Sequence, residues 1–307
     1  MAMTMKKKIQ AYIDLTRAHF APVWPLLFCS GLMLAFKNYD YFSWGLLILA
    51  VFIGLFGFEA GLVLNDIIDH NIDKLDTNDD RLTKYWRPFK ARPIPSGRIS
   101  LREAIGVFVV LVLVSIVLIA FIPFPNYTYI YIIMVYTYSM EIFYQLKKRN
   151  QKFPIAQLLG RTDLLLFPIA GYLCYGQLDI TVFLYIIFLY PWALAHLGIN
   201  DLIDVKNDQA KNLKTVTILY GLNGTIKWIV IFSLIHLFIA PFFVIFQMGT
   251  IAFIGFTFAW GAIVIANILI IKGKDSKSGL RALFLFHGSL LIYVLSIIID
   301  SSIIIFQ

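Results

Sequence analysis

The sequence has few cysteines and few charged residues. Two of its 307 residues are cysteine, and 14% are charged. Cys29 and Cys174 lie alone in apolar runs, so neither a disulfide framework nor a cysteine-based zinc site is expected. A soluble protein of this length needs far more polar surface than this composition provides. The composition therefore argues against a soluble protein.

Long apolar runs take the place of the missing charges. Hydrophobic residues make up 60% of the chain, and the mean hydropathy is +0.79. A run of about 20 apolar residues crosses the ~30 Å hydrocarbon core of a bilayer as an α-helix. We therefore expect an all-α membrane protein with nine transmembrane helices. They are predicted near residues 19–37, 43–64, 103–122, 127–146, 153–175, 180–200, 223–246, 249–271 and 282–305.

The distribution of basic residues predicts the orientation in the membrane. Long basic loops alternate with short, nearly neutral ones such as "PFPN" and "GQLD", and the basic N-terminus has no signal-peptide pattern behind it. The positive-inside bias places the N-terminus and the long loops in the cytoplasm and the C-terminus outside. The formal net charge of +8 reflects this bias. It predicts contact with membrane lipid and no nucleic-acid partner.

An acidic motif occurs twice in the chain. The stretches "NDIIDHNID" at 65–73 and "NDLIDVKND" at 200–208 carry the same residue at five positions in register. Each copy follows an apolar span and opens a long loop. The spacing predicts two four-helix repeats, about 19–146 and 153–271, plus one helix, within a single domain over 1–307. Repeats of this kind place the working site at their interface.

The spacing within each copy places the carboxylates roughly along one helical face. Like charges stacked near lipid are costly unless a cation offsets them. Oxygen ligands without paired His or Cys favour Mg²⁺, which binds one or two carboxylates, waters and phosphates. Solvated helix caps are the alternative, and the repeat in register argues against it. The predicted metal ligands are Asn65, Asp69, Asp73, Asp201, Asp204 and Asp208, and the predicted catalytic carboxylates are Asp66, Asp69, Asp201 and Asp204.

Cations and hydroxyl groups accompany the acidic motifs. Three long loops on the same side carry "RPFKARPIPSGR", "QLKKRNQK" and "KNLKT", and the span at 127–146 carries Tyr138 and Ser139. Carboxylates surrounded by Lys and Arg fit a metal-bridged diphosphate, and the two hydroxyl groups are candidates for phosphate hydrogen bonds. Each cation taken alone is better explained by the positive-inside bias, and the argument for a site depends on all three loops together.

Arg161 and Asp163 lie deeper, inside a predicted span. Ionisable residues within a membrane suggest a function or a structural ion pair. Because residues two apart on a helix do not face each other, Glu59 or Glu141 is the expected partner of Arg161. His196 is expected to be a hydrogen-bonded helix contact.

These motifs together resemble the UbiA superfamily of membrane prenyltransferases, over the whole chain. The stretch between Asp73 and Arg92 is longer than the superfamily pattern, so Arg87 and Lys90 remain alternatives to Arg92 as diphosphate partner. The matching residues are Asn65-Asp66-x-x-Asp69-x-x-x-Asp73, Arg92-Pro93-Ile94-Pro95-Ser96-Gly97, Tyr138-Ser139 with Lys147, Asp201-x-x-Asp204-x-x-x-Asp208 and Lys214-Thr215.

The resemblance implies a helical bundle around a central cavity that opens laterally to lipid. It also implies Mg²⁺-dependent transfer of a polyprenyl group from its diphosphate to an aromatic or lipid-like acceptor, with two Mg²⁺, one at each acidic motif. The residues it assigns to the diphosphate are Arg92, Lys147, Tyr138, Ser139, Lys214 and Asn200.

Two other classes of function share part of this pattern. A secondary transporter also has repeats and buried charges, but its binding charges lie near the bilayer midplane. The carboxylates here lie at the ends of spans, beside basic loops. A non-catalytic lipid-binding scaffold is the third alternative, and two complete acidic motifs argue against it.

Overall fold

The computed structural model describes residues 4–77 and 80–307, and these residues form helices without any strand. A short 3-10 helix, Ile72–Leu75, follows the third α-helix. The α-helices of the described chain are α1 (Met5–Leu15), α2 (Val23–Asn38), α3 (Trp44–Asp69), α4 (Arg81–Trp86), α5 (Leu101–Ile119), α6 (Asn126–Lys147), α7 (Ile155–Gly160), α8 (Thr162–Tyr172), α9 (Ile180–Ile203), α10 (Val205–Ala210), α11 (Val216–Gln247), α12 (Thr250–Gly273) and α13 (Ser276–Ile305).

Six of the described helices are long and apolar enough to cross a membrane. They are α3, α5, α9, α11, α12 and α13. A seventh, α2, is apolar but has only 16 residues. The prediction of an all-α membrane protein is thus confirmed, while the count of nine spans and the repeat arrangement stay predictions.

The span predicted at 153–175 is divided into two helices, which corrects the continuous helix expected from the sequence. Helix α7 ends at Gly160 and α8 begins at Thr162, with Arg161 between them at φ −75° and ψ 0°. Gly160 also lets α7 approach α6, because an added Cβ would lie 2.8 Å from the Cβ of Tyr144.

Glycine allows close packing between α2 and α8. A Cβ added at Gly31 would lie 1.8 Å from the carbonyl oxygen of Pro168, and one at Gly171 would lie 1.8 Å from that of Phe28. Small residues at such contacts let two membrane helices approach until their backbones touch. This pair fixes α8, and with it the position of Arg161, against α2.

Apolar side chains cover the outside of the bundle as well as its core. Phe188, Trp192 and Tyr293 are fully buried. Phe238 and Phe258 on the outer faces of α11 and α12 are about 70% exposed, at 72% and 69%. Lipid tails account for such a surface, since water does not favour it.

The first long loop is joined to α10, which lies just beyond the end of α9. The backbone N–H and the hydroxyl of Thr77 both donate to Oδ1 of Asn207, at 2.9 and 2.7 Å. Asp80 then caps α4 by accepting from the N–H of Thr83 at 2.8 Å. These contacts bring the loops behind the two acidic motifs to one end of the bundle.

Candidate active site

The first acidic motif ends α3 and continues into the 3-10 helix. Asp69 accepts from Nζ of Lys148 at 2.8 Å and from Arg149 at 3.0 Å. Asp73 is held by Arg92 at 2.6 Å and Lys211 at 2.8 Å. Burial alone raises the pKa of Asp73, but the charges of Arg92 and Lys211 outweigh it, so this pKa lies below its usual value. Asp69 and Asp73 of this motif are therefore each paired with two cations of the protein.

The second acidic motif has hydrogen bonds but no close cation. Asp201 accepts from the N–H of Val216 at 2.9 Å, while Asp204 accepts from Asn207. Asp208 accepts from the hydroxyl of Thr215 at 2.7 Å. The recorded ion pairs of the described chain join no Lys or Arg to these three carboxylates. The list of those pairs involves only Asp66, Asp69, Asp73, Asp76, Asp80, Glu103 and Asp163.

Burial raises the pKa of Asp204 and Asp208 above the usual range of an aspartate. For Asp204 the charge of Asp80 raises the pKa further, and for Asp208 the charges of Asp201 and Asp204 do so. The charges of Arg92 and Lys211 near Asp204, and of Lys148 near Asp208, oppose this rise but do not outweigh it. A cation arriving with a ligand would stabilise their ionised forms.

Both motifs line one polar cavity of about 160 Å³. Side chains of the two acidic motifs, which are 135 residues apart in the sequence, line it together with lysine and arginine side chains. Its predicted site residues are Asn65, Asp69, Asp73, Arg92, Asn200, Asp201, Asp204 and Asp208. The cavity is thus rich in oxygen ligands and cations, as a diphosphate site requires.

A second, larger cavity of about 390 Å³ adjoins the polar one and is mainly apolar. Trp24 and Phe58 stack in its wall with ring centroids 3.8 Å apart, and Phe167 and Trp192 add further aromatic surface. The two cavities adjoin each other at a common wall of five residues. The shared residues are Arg17, Asn65, Trp86, Arg161 and Asn200.

Helix α4 covers the apolar cavity with aromatic side chains. The ring of Tyr85 packs on Phe284 at 4.8 Å, and Trp86 packs on Phe20 at 4.7 Å. The hydroxyl of Tyr85 lies 2.5 Å from Nδ1 of His287, whose Nε2 lies 2.9 Å from Nε2 of His196. His196 is therefore a hydrogen-bonded contact between helices, as predicted, and it also lines this cavity.

The partner of Arg161 differs from the prediction. Its NH1 lies 3.9 Å from Oδ1 of Asp163, and this is the ion pair that the described chain records for it. Arg161 lies at the break between α7 and α8, and Asp163 lies in the first turn of α8. Glu141 lies in the same cavity wall but accepts from Asn65 at 2.7 Å and from Gln145 at 2.5 Å. Glu59 is buried without a hydrogen bond within the described residues.

Comparison with known proteins identifies the family. The sequence profile of the UbiA prenyltransferase family matches residues 23–290. This chain belongs to the UbiA prenyltransferase family. A digeranylgeranylglyceryl phosphate synthase of Korarchaeum cryptofilum is 25% identical over 295 residues, 95% of this chain and 98% of that protein. A 4-hydroxybenzoate octaprenyltransferase of Vibrio parahaemolyticus is 25% identical over 221 residues, 70% of this chain and 71% of that protein.

Solved structures share the UbiA fold. A UbiA homologue from Aeropyrum pernix K1, in its apo form, has a TM-score of 0.74 at 19% identity, covering 92% of this chain and 98% of that one. A UbiA homologue from Archaeoglobus fulgidus, bound to DMAPP and Mg²⁺, has a TM-score of 0.67 at 16% identity, covering 94% and 98%. The chain is thus an integral membrane prenyltransferase, and the transporter and scaffold alternatives are set aside.

The polar cavity of this UbiA member fits Mg²⁺ in the chemistry of its donors. Asp201, Asp204 and Asp208 have no ion pair in the described chain, and the buried Oδ1 of Asn200 has no hydrogen bond there. The described residues contain no group of three or more Asp, Glu, His or Cys side chains placed closely enough to hold a metal ion together. Mg²⁺ needs only one or two carboxylates and completes its shell with waters and phosphates. The arrangement suits a metal that arrives with a diphosphate.

Four residues predicted for the UbiA site lie outside both cavities. Ser139 donates to the carbonyl of Val135 in its own helix, and Lys214 donates to Asn212. Lys147 lines neither cavity, whereas its neighbour Lys148 lines the polar one. The four residues outside both cavities are Asp66, Ser139, Lys147 and Lys214.

Tyr138, in contrast, lines the apolar cavity, and its hydroxyl donates to the carbonyl of Gly57 at 3.0 Å.

Asp66 is occupied by two arginines. Both of its carboxylate oxygens accept from NH2 of Arg87 at 2.8 Å, and Oδ1 also lies 3.1 Å from Arg17. Arg87 additionally donates to the backbone carbonyl of Asp14, and Asp14 accepts from the N–H of Phe89 at 2.8 Å. Asp66 thus ties the first long loop and α1 to the end of α3.

Lys148 and Lys211 line the polar cavity and were not singled out from the sequence. Lys148 follows Tyr144 by one helical turn, and both face the cavity, so helical phase was the signal that distinguishes Lys148 from Lys147. Lys211 pairs with Asp73 and, at 2.5 Å, with Asp76. No local pattern reveals that contact, because its members lie more than 130 positions apart.

Proposed function

We propose that this chain transfers a prenyl group from a prenyl diphosphate to an aromatic or lipid-like acceptor and releases diphosphate. The observation that carries the proposal is the junction of the two cavities. A polar chamber lined by both acidic motifs adjoins a larger apolar chamber and shares five wall residues with it. This matches the two halves of a prenyl diphosphate, and the two relatives are named for prenylated products of different kinds, a hydroxybenzoate and a glyceryl phosphate.

The diphosphate would lie in the polar chamber, against Arg92, Lys148 and Lys211. Arg92 is the best supported of the three loop cations considered. Arg87 is committed to Asp66, and Lys90 is exposed and lines neither cavity. Cations placed around the leaving group stabilise the negative charge that builds on it as the allylic C–O bond breaks.

We propose that the site binds two Mg²⁺ ions. Asn65, Asp69 and Asp73 would hold one ion. Asp201, Asp204 and Asp208 would hold the other. Bound metal of this kind neutralises the charge on a leaving diphosphate. The related Archaeoglobus fulgidus structure, with DMAPP and Mg²⁺ bound, supports metal dependence. Asp69 and Asp73 now pair with Lys148 and Arg92, and a bound Mg²⁺ would share these carboxylates with the two cations.

The isoprenoid tail would occupy the apolar chamber. The stacked rings of Trp24 and Phe58, and Phe167 at 5.0 Å from Phe58, provide aromatic faces near the junction. Such faces attract cations and would stabilise an allylic cation while excluding water. Asp66, whose carboxylate binds Arg87 and Arg17, is assigned to positioning these arginines and not to the reaction itself.

We also propose that the polar chamber faces the cytoplasm, with the N-terminus on the same side and the C-terminus outside. The long basic loops support this orientation through the positive-inside bias. The prenyl tail would then enter from the lipid, and the diphosphate would be released to the cytoplasm.

Prenyl transfer by purified protein in detergent tests the proposal. We expect Mg²⁺-dependent transfer from labelled geranylgeranyl diphosphate to at least one aromatic or lipid acceptor, and none in EDTA. Asp69→Ala and Asp204→Ala should lower turnover about 100-fold or more, because each removes charge-stabilising ligands. Asp40→Asn, in a short loop far from either motif, is the control. Transfer that persists in EDTA, or in both Ala variants, would refute the proposed site.

A further inference from the structure

Arg161 differs from the other cations of the two cavities. Six Lys or Arg side chains line these cavities, and five of them have a carboxylate oxygen within 3.1 Å. For Arg161 the nearest recorded carboxylate, that of Asp163, is 3.9 Å away. This separation exceeds the range of a charge-assisted hydrogen bond. Among the cavity cations of the described chain, Arg161 therefore has the longest recorded distance to a carboxylate oxygen.

The guanidinium group of Arg161 has unused donors. The described chain records no hydrogen bond from its side chain, although a guanidinium has five N–H donors, and its Nε is buried without a partner. Its charge lies 5.5 Å from the ring centroid of Tyr144, which compensates only in part. The side chain is 21% exposed, so part of it is open to the cavities. Burying a charge to this extent is costly unless a ligand pairs with it.

The position of Arg161 connects the donor site with the space for the acceptor. It lines both cavities, as does Asn200, which precedes the second acidic motif. Beside it, Glu141 and Asp163 line only the apolar cavity. An acceptor whose anionic group is held by Arg161 would lie beside the common wall of the two cavities, near the expected position of the prenyl C1. A hydroxyl group of that acceptor could donate to Glu141 or Asp163.

We propose that Arg161 binds a carboxylate or phosphate group of the prenyl acceptor and thereby selects acidic acceptors over neutral ones. The proposal rests on the function proposed above and specifies its acceptor. A planar guanidinium pairs with either anion through two parallel N–H···O bonds, which fix orientation as well as charge. Arg161 then acts as a specificity-determining residue that positions the nucleophilic atom of the acceptor against C1.

Matched acceptor pairs test this assignment. The acids are 4-hydroxybenzoate and geranylgeranylglyceryl phosphate, and their neutral counterparts are 4-hydroxybenzamide and geranylgeranylglycerol. The wild-type enzyme should prefer one acid over its neutral counterpart, and whichever pair shows the preference distinguishes carboxylate from phosphate. Arg161→Gln should raise the KM for that acid about tenfold or more and abolish the preference, while the KM for the prenyl diphosphate changes less than about twofold.

Two further variants separate binding from folding. Arg161→Lys keeps the positive charge but loses the paired N–H donors of the guanidinium group. It should therefore retain part of the preference that Arg161→Gln abolishes. Arg102→Gln, at the exposed start of α5, should leave the preference and both KM values unchanged. Binding of a non-reactive geranylgeranyl thiodiphosphate with Mg²⁺ reports on the fold of every variant.

The possible failures of this inference and of the proposed function are distinct. A wild-type enzyme that transfers prenyl groups without preferring an acid would overturn the inference alone. The same holds if Arg161→Gln keeps the preference, or if it raises only the KM for the prenyl diphosphate. A wild-type enzyme that transfers no prenyl group to any acceptor in Mg²⁺ would overturn the proposed function instead.

Discussion

Lys211 fills the space between Asp73 and Asp76 at the first acidic motif. Its Nζ lies 2.8 and 2.5 Å from their carboxylates, and its side chain is only 4% exposed. Burial alone lowers the pKa of Lys211, and so does the charge of Arg92, yet the two carboxylates outweigh both and this pKa lies above its usual value. Lys211 therefore stays charged and compensates the carboxylate of Asp73, which is also proposed to bind Mg²⁺.

Replacing Lys211 with Met should make the protein depend on metal for stability. In EDTA the melting temperature should fall, because losing one partner of a buried ion pair costs about 3–5 kcal/mol. Mg²⁺ should then raise the melting temperature of Lys211→Met by more than that of the wild type. Thermal unfolding in detergent measures both shifts, with the exposed Lys152→Met as the control. Equal Mg²⁺-induced shifts in all three proteins would contradict a shared site.

At the residue scale, the sequence predicted the carboxylates better than their cations. Asp69 and Asp204 stand in a repeated motif, so their shared cavity followed from register alone. Lys148 can be told from Lys147 by helical phase, whereas Lys211 depends on a contact across the bundle that leaves no local pattern. Asp66 shares the motif but binds Arg87, because it points away from the cavity on the same helix.

At the scale of helices and loops, the apolar runs predicted where helices lie but not where they break. The span at 153–175 is interrupted between Gly160 and Thr162, and Gly160 packs closely against Tyr144. Hydropathy alone does not predict such a break, because apolar residues flank it on both sides. The orientation of the loops was predicted from charge, and it remains to be measured.

Cysteine labelling measures the orientation of the loops. Cys29 and Cys174 are buried and should not react with a membrane-impermeant maleimide. Ser96→Cys in the first long loop should react only from the cytoplasmic side, and Leu178→Cys in a short loop should react only from outside. Inside-out vesicles expose the cytoplasmic face to the reagent, and right-side-out vesicles expose the outer face. Labelling with the opposite sidedness would reverse the proposed orientation.

At the scale of the whole molecule, two distant segments form one site. The loops behind α3 and α9 meet through Thr77 and Asn207, and both acidic motifs line the same cavity. The sequence predicted this convergence through the internal repeat. The shape of the acceptor space was not predictable, because its walls come from single residues such as Trp24 and Trp192 on separate helices.

The central claim is that both acidic motifs act on one diphosphate, and a double-mutant cycle tests it most directly. Calorimetry would measure the Mg²⁺-dependent affinity for geranylgeranyl thiodiphosphate in the wild type, Asp69→Ala, Asp204→Ala and the double variant. Motifs that share one ligand should be coupled, so the loss in the double variant should differ from the sum of the single losses by more than about 1 kcal/mol. Losses that add within about 0.5 kcal/mol would show two independent sites and contradict the claim.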